Sequence, residues 1–180
     1  MRSTSMATTS RTPLERNVPP NANARHNDCV KHTYLFEPGV WSVAGTFWRA
    51  DGEALEAVGR TQIAHRPECW LLSGTLKVLS SPPVEFVHAY WIEPPSHPQG
   101  GSVRWTFENA MFGKLKGRYS VIGPSILSVY GCEESGYHGA EHLAQLDADN
   151  YRSTGMLLLK DRIMYSWHMM LKHAAERGAP

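Results

Sequence analysis

From Tyr34 onward, apolar and polar positions alternate in short runs bounded by glycine or proline, the period-two signature of half-buried strands. The first run, 39–48, places Trp41, Val43 and Phe47 on one face and is followed by Asp51-Gly52, a hairpin turn. A second run covers 54–64 and stops before Pro67, and a third, 69–79, alternates Trp70, Leu72, Leu76 and Val78 with more polar neighbours. In 84–93, Phe86, His88 and Tyr90 share a face, which points to an enclosed surface carrying polar tips among aromatics. After a loop rich in proline and glycine at 94–101, runs follow at 102–109, 114–122 and 125–132. The last are 137–146, 151–159 and 163–171.

Two of these runs admit a helical reading. Ala140-Glu-His-Leu-Ala-Gln-Leu consists of good helix formers. Ile163, Tyr165, Trp167, Met169 and Leu171 share a strand face, whereas Ile163, Trp167, Met170, Leu171 and Ala174 would share a helix face. Read as strands, the runs are joined by turns too short for the crossover helices of a parallel sheet, and closure would remove the exposed edges. The expected fold is mainly β, an antiparallel barrel of about eight to ten strands. The alternative is an α+β curved sheet packed on helices. Residues 1–33 read as a disordered tail, 34–173 as the barrel and 174–180 as a C-terminal tail.

Composition narrows the function classes. Eighteen basic residues face seventeen acidic ones and are interspersed, so no electrostatic footprint for nucleic acid exists. Cys29, Cys69 and Cys132 are odd in number and lack Cys-x-x-Cys spacing. They read as free thiols of a reducing compartment. With no apolar run of membrane-spanning length and no secretory leader, the expectation is a soluble, cytoplasmic protein. Homo-oligomerisation is left open, and no motif demands a cofactor.

Gly39-Val40-Trp41 resembles the Gly-x-Trp of lipocalins and related calycin barrels. That resemblance implies a tryptophan, Trp41, across the closed end of the barrel and a cavity for a hydrophobic small molecule. It covers one strand.

His138-Gly-Ala-Glu141-His142 has the form of an inverted zinc-protease motif. Chelation needs a helix, because positions four apart in a strand lie roughly 13 Å from one another. Two ordinary surface histidines, and no metal, is the preferred reading. A distributed constellation suits the barrel better. His88, Tyr90, Tyr119 and Glu141 are the candidate acid–base groups, with Trp41, Trp70, Phe86 and Tyr165 as ligand contacts. Glu108 is weaker, since it shares a face with Arg104 and Thr106. Tyrosine and histidine offer an apolar body with a polar tip, and a buried glutamate gains a raised pKa useful for proton transfer. No phosphate loop or Gly-x-Ser-x-Gly elbow is present.

The function so defined is binding of a small hydrophobic molecule, as a carrier or as a cofactor-independent enzyme. The enzymatic alternative is a metal-independent isomerase, cyclase or lyase of a hydrophobic metabolite, with His88 as the leading acid or base. Two further alternatives are a haem-binding barrel ligated by His88, His142 or His168 and an interaction module whose aromatics are simply core.

Overall fold

The computed structural model describes residues 31–95 and 101–174. Its elements are ten strands: β1 (Gly39–Arg49), β2 (Ala54–His65), β3 (Trp70–Val78), β4 (Val84–Ile92), β5 (Ser102–Asn109), β6 (Gly113–Ile122), β7 (Ser125–Gly131), β8 (Tyr137–Gln145), β9 (Asn150–Leu159) and β10 (Arg162–His173). Each pairs antiparallel with the next, and β1 pairs with β10 to close the barrel. The architecture is the up-and-down form, in which the first and last strands satisfy each other's edges.

Both helical readings give way to strands. In β8 the preference of alanine, glutamate and leucine for helix is worth only tenths of a kcal/mol per residue. Ladders to β7 and β9 along the strand outweigh it, and the strand period buries Gly139 and Leu143 while exposing His138 and His142. In β10, Tyr165, Trp167, Met169 and Leu171 take the inner face as expected, but Ile163 does not. A bulge between Ile163 and Tyr165 shifts the register by one residue, and Ile163 is 50% exposed.

One end of the barrel is sealed by the segment that precedes β1. Trp41 is 1% exposed and packs edge-on against Tyr34 at 5.2 Å and Tyr151 at 5.6 Å between ring centroids. Leu35 is fully buried in a left-handed conformation (φ 71°) that leucine rarely adopts, so tertiary packing imposes it. Its carbonyl accepts a 2.8 Å hydrogen bond from His65 Nε2.

His32 completes the seal. Thr33 N–H donates to the Tyr151 hydroxyl at 3.1 Å, which leaves the hydroxyl proton for His32 Nδ1, also at 3.1 Å. His32 Nε2–H then donates to Gly123 O at 2.9 Å. This arrangement uses the neutral imidazole, and burial lowers the His32 pKa accordingly. The domain boundary expected at residue 34 thus falls inside a docked segment, because Lys31, His32 and Thr33 already contact the barrel. The expected tail at 1–30 and most of that at 174–180 lie outside the described residues.

The opposite end, bearing the β1–β2, β3–β4, β5–β6, β7–β8 and β9–β10 hairpins, has no such plug among the described residues. Leu72, Trp105, Phe107, Leu115, Tyr119, Leu157 and Met169 form the buried wall between the two ends.

Candidate functional site

Inside the barrel lies a cavity of about 230 Å³. Its wall is mostly aromatic and aliphatic, no lysine or arginine of the described residues reaches it, and Glu141 and His88 are the carboxylate and the imidazole they supply. Tyrosine hydroxyls, the indole N–H groups of Trp105 and Trp167, Thr61, Thr75, Asn109 and Ser153 supply the remaining side-chain polar atoms.

Glu141 projects from β8 with a tryptophan–serine pair on either side. On β9, Ser153 Oγ donates to Glu141 Oε1 at 2.6 Å and accepts from Trp167 Nε1 at 3.0 Å. On β7, Ser128 sits directly opposite Glu141 in the ladder and accepts from Trp105 Nε1 at 3.2 Å. Both indoles reach these serines by lying flat across a glycine of the neighbouring strand. Trp105 covers Gly117 and Trp167 covers Gly155, and a Cβ at either glycine would collide with the ring. Glycine interrupts a strand at a cost in propensity, and here it creates room for a ring.

Burial raises the pKa of the Glu141 carboxyl, and the hydrogen bond from Ser153, with the Trp167 N–H beside it, pulls it part of the way back. Its accessible surface faces the cavity. Burial, reinforced by the nearby Glu141 charge, raises the hydroxyl pKa values of Tyr34, Tyr90, Tyr119 and Tyr130. All four therefore stay protonated and can donate.

His88 lies nearly across the barrel from β8 in strand order, on β4. It pairs with Gly74, whose missing side chain lets the ring approach Thr61 Oγ1 on β2 at 3.4 Å. Desolvation with no acidic partner depresses its pKa to about 4, so the ring is neutral near pH 7.

The wall is weakest between β4 and β5. That seam joins Tyr90, Trp91 and Ile92 to Phe107, Thr106 and Trp105, whereas every other seam pairs over seven or more positions. Glu93 N–H donates to Arg104 O at 2.9 Å, and strand alternation turns the Val87 and Ala89 amides to the same side, beyond the end of the ladder. The cavity reaches this gap at Val87, Asn109 and Phe112.

The structure brings together His88, Tyr90, Tyr119, Glu141, Phe86 and Tyr165, all of which line the cavity. It does not bring in Trp41 or Trp70. Trp41 belongs to the floor, covered by Tyr34. Trp70 keeps the inward parity of Leu72 but sits at the sealed rim, stacked on His65 at 3.8 Å and met edge-on by Phe36. Of the zinc-like string, Glu141 faces inward while His138 and His142 are exposed on the outer surface, so the three do not converge. His168 is likewise exposed, which leaves His88 as the interior member of the three haem-ligand candidates. Cys69 and Cys132 are free thiols and neither lines the cavity. Sequence reasoning missed the roles of Ser128 and Ser153, and of Tyr130, whose ring lies across Gly139 and whose hydroxyl donates to Met156 O at 3.0 Å. The signal available was glycine at 117, 139 and 155 inside otherwise regular strands, the mark of a close approach.

No helix of the described residues is long and apolar enough to cross a membrane. No family model matches the chain, and no curated protein matches it by sequence. Among solved structures it is similar to the S-type phycobiliprotein lyase CPES from Guillardia theta, with a TM-score of 0.55, 4% identity and coverage of 79% of this chain and 90% of that one. At such identity the likeness concerns the fold alone. That likeness and the closed ten-strand meander agree on the fold, an antiparallel up-and-down β-barrel.

Proposed function

We propose that the barrel binds one compact, largely apolar, ring-bearing organic molecule in its interior. The observation that carries this reading is the cavity itself. Protein interiors pack to the density of organic crystals, and a barrel built only for stability fills its core with side chains. Here about 230 Å³ stays open, and glycines on the wall hold tryptophan rings flat around it. The volume lies just under the roughly 300–1,000 Å³ of drug-sized ligand sites, which favours a molecule of one or two rings. A flat aromatic wall with a few convergent polar groups is the usual form of such a site.

A catalytic use is the second reading, favoured by one observation. Glu141 and His88 are two titratable groups in one largely apolar cavity, a carboxyl raised and an imidazole lowered toward opposite protonation states. Such a pair suits proton transfer within a bound substrate, with His88 as base and Glu141 as acid. The similar fold of a protein named a lyase agrees with this use without assigning its reaction.

Native mass spectrometry of the purified chain tests the binding reading. A non-covalent adduct that is lost on denaturation supports it and gives the ligand's mass. A bare chain that also fails to take up any small aromatic compound would refute it.

A further inference from the structure

Resting on the interior-binding reading, we propose that the site selects a cation: an amine or protonated nitrogen heterocycle whose charged nitrogen sits against Glu141 between the Trp105 and Trp167 rings. The charge inventory of the cavity points one way. Its permanent ionisable acid is Glu141, and no lysine or arginine faces it from any strand. The other titratable groups turned toward the cavity are His88, Tyr34, Tyr90, Tyr119, Tyr130 and Tyr165. None is cationic at neutral pH, since a phenol carries no positive charge in either form and His88 is kept neutral by burial.

A buried carboxyl without a cationic partner costs stability, and an apolar residue of similar size would serve an empty core better. A positively charged ligand supplies the missing partner. Ring faces carry negative electrostatic potential and attract cations, most strongly where water is excluded. Trp105 and Trp167 direct their N–H edges to the serines that flank Glu141 and lie flat on the wall of the cavity that Glu141 also lines. A fatty acid or other carboxylate would meet the opposite situation, a second negative charge beside Glu141 with no guanidinium or ammonium among the described lining residues to offset it.

Proton balance follows. In the empty barrel burial holds Glu141 toward its neutral form, and an arriving ammonium favours the carboxylate. Where the free carboxyl is still protonated, its O–H breaks on binding, its proton leaves to solvent, and the ligand keeps its own. Amine affinity should therefore rise with pH over the range in which free Glu141 loses its proton, and level off above it.

Titration calorimetry of the full chain with naphthylmethylamine, naphthylmethanol and naphthoic acid separates charge from shape, because the three share one ring system. The amine should bind about tenfold or more tighter than the alcohol, with the acid weakest. Repeating the amine titration in buffers of different ionisation enthalpy should show proton release at pH values where free Glu141 is protonated and none above its titration. Glu141→Gln should reduce the amine to the level of the alcohol and leave the alcohol within about twofold. Glu141→Asp, which keeps the charge, should retain a preference for the amine and so distinguishes lost charge from a damaged fold. An alcohol or acid that equals the amine, or an amine preference that survives Glu141→Gln, overturns the cation inference alone. If none of the three binds, the interior-binding reading falls, and this inference with it.

Discussion

Ser153 Oγ donates a 2.6 Å hydrogen bond to Glu141 Oε1, the largest influence opposing the burial that raises that carboxyl. The same oxygen accepts from Trp167 Nε1, so one hydroxyl both tunes the acid and fixes the ring beside it. Ser153→Ala should move the Glu141 titration further upward, read by carbon NMR of the side-chain carboxyl. It also strands a buried indole N–H, at a cost of about 1–3 kcal/mol in chemical denaturation.

Glu141→Gln should stabilise the ligand-free barrel at neutral pH. A carboxyl whose folded pKa is raised binds more protons in the folded state than in the unfolded one between the two values. Stability is therefore present below the unfolded value near 4.5 and is lost as pH rises through the folded value. Removing the group removes that loss. The variant should melt higher than the parent at pH 7, on the order of 2–4 °C for each kcal/mol recovered, with the gap closing near pH 4. A lower melting temperature at pH 7 would contradict the assignment of Glu141 as an uncompensated buried acid.

The sealing segment should matter far more than the residues before it. Leu35 is fully buried, and Leu35→Ala should cost about 2–5 kcal/mol. Deleting residues 1–27 should leave the melting temperature nearly unchanged, whereas deletion through residue 37 should lower it sharply. His32 adds a pH signature with the opposite sign to that of Glu141. Its pKa is depressed on folding, so the stability it contributes is present above about 6.5 and is lost as pH falls from there toward the folded value. His32→Gln should flatten that part of the stability profile, as measured by denaturation at stepped pH.

The barrel was readable because its signal is local. Alternation in 102–109 or 114–122 depends on residues two apart, and a closed meander preserves that parity along each strand. What escaped depends on contacts distant in sequence. His32 is pinned by Gly123 and Tyr151, 91 and 119 residues away, and nothing periodic in 31–38 announces a plug. Ile163 was misplaced because a bulge is one uncounted residue, enough to reverse a face. Trp70 has the parity expected of it, yet parity says nothing of height along the barrel axis, and it stands at the sealed rim. The pairing of Glu141 with Ser153 was out of reach of pattern reasoning, since it relates neighbouring strands through a register that the turns alone do not fix.

The β4–β5 seam should behave as the flexible part of the wall. Amides of Val87 and Ala89 point past the end of their ladder, so hydrogen exchange there should be faster than at Leu143 and Ser153, which sit mid-ladder on β8 and β9. Ligand occupying the cavity near Phe112 and Asn109 should slow it. Uniform protection along β4 and β8 would show that the seam is closed.

The most direct test of an interior site uses the six tryptophans as reporters. Their indole N–H signals are resolvable by nitrogen–proton NMR, and only Trp105 and Trp167 line the cavity. Adding naphthylmethylamine to the labelled chain should shift those two signals in proportion to occupancy, while Trp48, Trp70 and Trp91 stay in place. Shifts confined to Trp48, Trp70 or Trp91, with Trp105 and Trp167 unmoved, would place binding outside the barrel and contradict the account.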